Sequence, residues 1–456
     1  MEFPKLSRAA GLDGGTECIS SSLELFDGPL VETSIDKTYF NEIHPITPIS
    51  ASSNSINFHI PSSSDFTDLS ESYLTFRVSI NTHTGGKEVA GGAQAANDSY
   101  ALVNQIGSSL FTAVNVRLND SLLSDSYGTA NYRAYFQSLL NYSSDAQKTR
   151  LRLMGFCRDD KPDTTDASTN AAASSYKTRA AWTSEGRILV CTAPVFHDLW
   201  NQSRLLIPLC PIFVDFTKAS KEFAIISNKT ACDYEYKILS MKLMIRRVKT
   251  TASTKLQIEN RLSSTPARYP ITQASVKPFW IDQNLKSCTF ENCFAGKGVP
   301  KFALFGLCEQ TAFRGDYSKN PFLWKHQDLV SLKVSFGADS YPSVEFKPVY
   351  TSATKEEDWS TEYFSLCLNT FKAETGIQIT YEQFKEYYCL YVIDLGQFSM
   401  TSNDHITPKA DVSARLDIRF SSSVTGPPAC VGLMYCEWDC EIRVNSNRVV
   451  SRDYIL

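Results

Sequence analysis

The sequence predicts an all-β protein made of two tandem eight-stranded, double-sheet sandwiches with short inserted helices. Three observations lead there. Apolar and polar residues alternate at period 2 in run after run, the mark of half-buried strands. Aromatic residues make up 12% of the 456-residue chain against 21% charged residues, and Ser and Thr are abundant, a balance that favours sheets over helical bundles. The order of strands, loops and one helix in the first half also recurs in the second, in a chain too long for one ordinary core.

The stretch Pro194 to Phe223 is the most informative. Leu205, Ile207 and Leu209 alternate with their neighbours, then Ile212, Val214 and Phe216 do so with the opposite parity. A one-residue slip would turn the core face outward, so two strands with a bulge or break at Pro211 are expected. Pro208 and Pro211 cannot donate to a ladder, which places them at an edge, a strand start or that break.

Taken in order, residues 1–45 read as a mildly acidic arm and residues 46–250 as the first sandwich. Ile56, Phe58 and Ile60 form one alternating run; Leu74, Phe76, Val78 and Ile80 form the next. Thr82–Ser99 is rich in Gly, Ala and Asn and is expected as an exposed loop. A strand over Leu110–Leu118 leads into a turn at Asn119–Asp120. Tyr132, Tyr135, Phe136, Leu139 and Leu140 then fall at helical spacing, which predicts one short helix. Asp163–Ser175 is a second surface loop, and Leu239, Met241, Leu243 and Ile245 share one face of the closing strand.

Residues 251–268, rich in Ser and Thr, are read as a linker, and the second sandwich as 269–456. There Lys301–Cys308 stands where Leu74–Ile80 stood, Leu329–Phe336 where Leu110–Leu118 stood, and Tyr363–Phe371 takes the place of the helix. Cys389–Leu395 parallels Cys191–Leu199, Leu416–Phe420 parallels Ile212–Phe216, and Val431–Val444 closes the chain as Ile238–Val248 closed the first half.

The classes of function excluded are many. No apolar run approaches the ~18–20 residues of a membrane span, and the amino terminus lacks the apolar core of a secretion signal, which predicts a soluble intracellular product without a membrane span. Thirteen cysteines without a framework fit a reducing compartment. Cys436 and Cys440, or Cys288 and Cys293, lack further ligands at metal spacing and are read as buried thiols. Sequons at Asn97, Asn119, Asn141, Asn201 and Asn228 follow from Ser/Thr abundance.

The catalytic signatures are equally thin. Phosphate-loop, zinc-protease, nucleophile-elbow and dinucleotide motifs are absent, and Ala295-Gly296-Lys297-Gly298 lacks the first glycine and the hydroxyl of a phosphate loop. His197, Asp198 and Ser203 form a nucleophile set only on paper, because adjacent residues at a strand end point opposite ways. Glu356, Glu357 and Asp358 beside Trp359 read as a solvated loop. The one basic cluster is Lys242, Arg246, Arg247 and Lys249, facing DNA or a neighbouring subunit; a net charge of −4 argues against a dedicated DNA binder. No catalytic site, metal or cofactor is predicted.

Several segments, in this order, carry a family likeness. They are SLELFDGPLVETSI in the arm, INFHIPSSSDFTDLSESYLTFRVSI, SLFTAVNVRLND, YRAYFQSLLNY, VFHDLWNQSRLLIP, RRVK followed by ARYPI at Ala267–Ile271, FRGDYSKNPFLWKH at Phe313–His326, and the ending EIRVNSNRVVSRDYIL. On these, from about Leu23 to the carboxyl end, the chain resembles the hexon-like, double jelly-roll major capsid proteins of Maverick/Polinton elements and the adintoviruses of animals. The likeness departs at the loops Thr82–Ser99 and after Cys157.

The resemblance implies two jelly rolls per chain, homotrimers that form pseudo-hexameric capsomers, and contact with neighbouring capsomers in an icosahedral shell around double-stranded DNA. It further implies a single jelly-roll penton protein at the vertices, a maturation protease and a packaging ATPase, with at most non-specific contact to packaged DNA. The location would be the virion, assembled in the nucleus or cytoplasm. The alternative from another class is a jelly-roll carbohydrate- or protein-binding module, since the fold alone does not fix function.

Overall fold

The computed structural model describes residues 32–50, 53–82, 99–124, 127–165, 174–228, 234–294, 297–336, 339–350, 356–370, 377–395, 413–421 and 428–453. The predicted loop tips at 83–98 and 166–173, Asn97, the first two residues of the Ala295–Gly298 imitation and arm residues 1–31 lie outside them.

Eight strands build the first sandwich: β1 (Ile35–Ile43), β2 (Ser55–Ile60), β3 (Phe66–Thr82), β4 (Phe111–Leu118), β5 (Ser121–Leu122), β6 (Leu189–Pro194), β7 (Ile212–Lys218) and β8 (Tyr234–Thr250). They form two four-stranded sheets, β1-β8-β3-β6 and β2-β7-β4-β5, with every pairing antiparallel. Phe58, Phe76, Phe111 and Phe216 meet between the sheets, with ring centroids 5.0–5.9 Å apart along the chain of contacts. Alternation places these residues inside: Leu74, Phe76, Val78 and Ile80 are buried on β3, while Tyr73, Thr75 and Arg77 face outward.

The second sandwich repeats this with β9 (Ala267–Ile281), β10 (Ser287–Glu291), β11 (Phe302–Glu309), β12 (Leu329–Phe336), β13 (Asp339–Phe346), β14 (Leu390–Asp394), β15 (Ala414–Phe420) and β16 (Cys430–Val444). Its sheets are β9-β16-β11-β14 and β10-β15-β12-β13, so each strand takes the place of the strand eight positions earlier. A last strand, β17 (Val450–Asp453), pairs with the end of β16. The expected duplication is therefore present in the four main sheets, while a two-stranded ribbon, Tyr100–Leu102 with Ile225–Ser227, belongs to the first half alone among the described residues.

Among the described residues five helices have six residues or more: α1 (Ala130–Asn141), α2 (Ser174–Thr183), α3 (Ala252–Ser264), α4 (Ser360–Thr370) and α5 (Tyr381–Glu386). Helix α1 follows β5 and α4 follows β13, so the two hold equivalent places. Helix α5 starts on a full capping box, Thr380 with Gln383.

Three sequence expectations differ from the structure. Leu205–Cys210 is not a strand: Leu206 makes a single bridge to Thr67, and Leu209 takes a left-handed backbone (φ 65°) with its side chain exposed. The physical reason is the proline pair together with a side chain from the other half, because the Ile207 N–H donates to the Tyr269 hydroxyl (3.0 Å) and the Tyr269 hydroxyl donates to the Leu205 carbonyl (3.3 Å). Within 251–268, thirteen residues are helical; the sequence KLQIENRL supplies good helix formers that its Ser/Thr-rich flanks obscure. Finally, residues 35–43 of the expected arm form β1, an edge strand paired with β8.

Candidate functional site

Helix α1 lies at the junction of the two sandwiches. Nine of its twelve residues are buried, and its aromatic face meets the segment after β11. Tyr132 stacks on Phe313 (5.4 Å), Tyr135 on Phe322 (3.9 Å), and Phe136 tilts against Trp324 (4.9 Å). Each such pair adds ~0.5–1.5 kcal/mol beyond its buried area. The hydroxyl of Thr129, the N-cap residue, does not cap its own helix; it donates to the Val276 carbonyl on β9 (2.7 Å).

The surface that α1 covers is the outer face of the β9-β16-β11-β14 sheet. Val276, Tyr435, Leu304 and Val392 are register partners across it, all buried, and Gln137 donates to the Tyr435 hydroxyl (3.3 Å). The neighbouring row, Met434, Phe305 and Tyr391, turns inward, where Tyr391 meets Phe346 of β13 (6.3 Å).

Polar links fix the same junction. Arg133 on α1 pairs with Asp198, which also accepts from the Ala274 N–H on β9 (3.1 Å). Asp159 pairs with the fully buried Arg179 and accepts from Ser175 (2.8 Å), while its carbonyl accepts from Tyr388 of the second half (2.6 Å). At the other end the carboxyl-terminal hairpin grips the first sandwich: Ser121 donates to the Val450 carbonyl (3.1 Å) and Arg452 to the Leu123 carbonyl (3.1 Å).

The basic residues singled out from the sequence lie on β8, and the structure does not gather them into one patch. Lys242 pairs with Glu42 (3.1 Å), Arg246 with Asp68 (3.4 Å) and Lys249 with Asp36 (2.9 Å). Arg247 is buried and donates to Thr67 and to the Pro61 carbonyl (2.8 Å). Lys242 and Arg246 share the outer face of the β1-β8-β3-β6 sheet with Phe40, Tyr73, Met244 and Val190. This is the face equivalent to the one α1 covers, and in the single chain it is open: Phe40 is 48% and Val190 54% exposed.

The remaining candidates have structural roles. His197 Nδ1 accepts from the Leu199 N–H (3.2 Å), so Nε2 carries the proton and meets Ser124 Oγ (3.0 Å). Burial, with Arg133 and then Arg452 nearby, holds its imidazole well below the ordinary pKa. Asp198 turns to Arg133 instead of His197, and Ser203 is exposed. Glu357 pairs with Lys385, and Asp358 accepts from Ser360 at the start of α4 (2.9 Å). Cys436 and Cys440 are buried free thiols, and burial pushes the Cys293 thiol up to about 12. Among the described residues no group of three or more His, Cys, Asp or Glu is placed to hold a metal, and no helix is long and apolar enough to cross a membrane.

The sequence reading missed the junction as a site. Its parts sit in the quoted segments YRAYFQSLLNY, FRGDYSKNPFLWKH, VFHDLWNQSRLLIP and ARYPI, but nothing in a single sequence says that these touch.

No protein-family profile matches the chain. An uncharacterized Caenorhabditis elegans protein is 21% identical over 291 residues, which is 61% of this chain and 65% of that protein, so the match spans less than two thirds of the relative's length. Among solved structures, a chain of the Sputnik virophage is similar with a TM-score of 0.64 at 11% identity, over 96% of this chain and 93% of that one. The Faustovirus major capsid protein gives 0.56 at 8% identity over 91% and 92%. The mavirus major capsid protein gives 0.52 at 13% identity over 100% and 97%. At such identities the likeness is one of fold, and the fold of this chain is the double jelly roll of those capsid proteins.

Proposed function

We propose that this protein is a major capsid protein whose three copies close into a pseudo-hexameric capsomer, the tile of an icosahedral shell around double-stranded DNA. The observation that carries the reading is the duplication of the two four-stranded sheets, in the same strand order, in each half. Two like units per chain and three chains per ring give six near-equivalent corners about one axis, which a flat lattice needs. The fold likeness to virophage and Faustovirus coat subunits supports it over nearly the whole chain.

The finer parts of the reading rest on the sequence resemblance. The source would be a Maverick/Polinton element or an adintovirus, the subunit would reside in the virion, and a single jelly-roll protein would fill the fivefold vertices. The two units divide within 251–268, with β1 counted in the first. The subunit works by adhesion, with no chemistry of its own. Lys242, Arg246 and Lys249 then face a neighbouring subunit, while Arg247 braces β8 from within.

Sedimentation equilibrium of the purified full chain tests this. A species of three chain masses is expected, with interfaces larger than the ~2,000 Å² of standard contacts. A chain that stays single at every concentration, or a twofold dimer, contradicts the reading.

A further inference from the structure

Two of the grips between the sandwiches converge on one histidine. His197 is the N-cap of the short turn Asp198–Trp200, and its Nδ1 accepts from the Leu199 N–H (3.2 Å). The turn it caps carries Asp198, which holds Arg133 of α1 and the Ala274 N–H of β9. On the other side of the ring Nε2 meets Ser124 Oγ (3.0 Å), next to Leu123, whose carbonyl accepts from Arg452 of the carboxyl-terminal hairpin. His197 is 2% exposed, but a cavity of about 40 Å³ beside it, lined also by the exposed Tyr127 and Gly128, has room for water.

We propose that His197 is an acid-operated latch: on taking up a proton at Nδ1 it releases the turn that joins the two sandwiches, and the junction between them opens. The closed form has a place for one ring proton only. Nδ1 must stay bare to accept from Leu199, and the Nε2 proton is committed to Ser124 Oγ, which also accepts from the Val116 N–H (2.7 Å). A second proton would set two N–H groups against each other at Leu199. The charges facing the ring act in the same direction. After burial itself, Arg133 from α1 and Arg452 from β17 hold the imidazole well below its ordinary pKa, while the adjacent carboxylate, Asp198, turns to Arg133. Glu437 of β16 faces Arg133 from the second sandwich, with Tyr435, Asp198 and Lys301 also near, and burial holds its carboxyl above the ordinary value. Its own proton uptake therefore favours the closed form and opposes the latch.

The closed junction excludes the proton, and the open one accepts it at the unfolded value of about 6.5. The latch is thus shut above about pH 6.5. Below it the open fraction rises about tenfold per pH unit until the pKa of the closed form is reached. The device lies within one chain and goes beyond the capsomer reading: a shell tile of this kind would loosen from inside in an acidic compartment.

Thiol labelling of the full-length chain with a pyridyl disulfide, a reagent that works in acid, tests this. Cys308 stands on the outer face of β11, 1% exposed, against the Tyr132 hydroxyl of α1, so an open junction bares it. Cys191 lies inside the first sandwich in register with Phe76 and stays covered unless that sandwich unfolds. Labelling is located by peptide mass and corrected for the reagent's rate on a free thiol. At Cys308 it is expected to rise about tenfold per pH unit below about pH 6.5, well ahead of Cys191. His197→Asn keeps an oxygen for the Leu199 N–H, and His197→Gln reaches Ser124; neither titrates. In both, Cys308 labelling is expected to stay flat with pH, and either variant carries the comparison if the other folds poorly. Glu437→Gln removes the opposing titration and is expected to keep the rise. The latch is overturned by wild-type Cys308 labelling that ignores pH, by an equal rise in a folded His197 variant, by a rise lost with Glu437, or by Cys191 labelling at the same rate. None of these outcomes touches how copies associate, so the capsomer reading stands or falls separately.

Discussion

Helices α1 and α4 occupy the same place in the two jelly rolls, yet one is walled in and the other half bare. Nine of twelve residues of α1 are buried, whereas α4 leaves Phe364 and Leu368 in solvent. The two faces beneath them differ in the opposite sense. Val276, Tyr435, Leu304 and Val392 are sealed under α1 and its surroundings, and Phe40 and Val190 are open. The difference lies in the neighbour: α1 has the second sandwich of its own chain against it.

That comparison can be broken at the internal junction first. Trp324, fully buried against Phe136, should cost about 3–5 kcal/mol when replaced by Ala, read as a lower urea midpoint. Asp198→Ala should cost about as much, about 3–5 kcal/mol, because it strands the Arg133 guanidinium at a mostly buried position; a two-state urea titration checks it. If either change is silent, the junction is not what holds the sandwiches together.

A pH series sharpens the same point. His197 has a folded pKa below the unfolded value of 6.5, so the native state binds fewer protons than the unfolded one. Its contribution is complete above about pH 6.5 and is lost progressively as pH falls below that. The urea midpoint should therefore drop between pH 7.5 and pH 5, and His197→Gln should flatten the drop. An equal drop in the variant would assign the effect to other groups.

The smallest effects belong to the open surfaces. Lys242→Ala removes an ion pair whose partners are each 41% exposed and should change stability by less than ~1 kcal/mol. Phe364→Ala should change the stability of the isolated chain by no more than ~0.5 kcal/mol, against the large loss at Trp324. A loss of several kcal/mol at Phe364 in dilute protein would mean that α4 is covered within its own chain.

Much of this was legible in the sequence. Strands with one wet and one dry face, such as β3, β4 and β12, print their alternation directly, and the stripe of α1 names its buried side. Strand β1 was not legible because, as an edge strand, it has no clean buried face: Ile35 and Phe40 are exposed along with its charges. Helix α3 buries only Leu262, which leaves a periodicity too weak to overcome its Ser/Thr content. The alternation in Leu205–Leu209 was misleading, since Leu206, Ile207 and Cys210 are the residues that go inside. The basic run of β8 shows the same limit, because a sequence does not tell the buried Arg247 from the exposed Lys249 beside it but one. Above all, the apolar stripes of α1 and α4 look alike as sequence; which one is covered depends on where the two sandwiches sit.

Electron microscopy of the purified, associated protein bears most directly on the proposal that two like sandwiches per chain build a ring of six from three chains. Class averages should show a hexagonal outline with threefold symmetry and six lobes at nearly equal spacing. Averages with two lobes, or with a twofold axis, would contradict it.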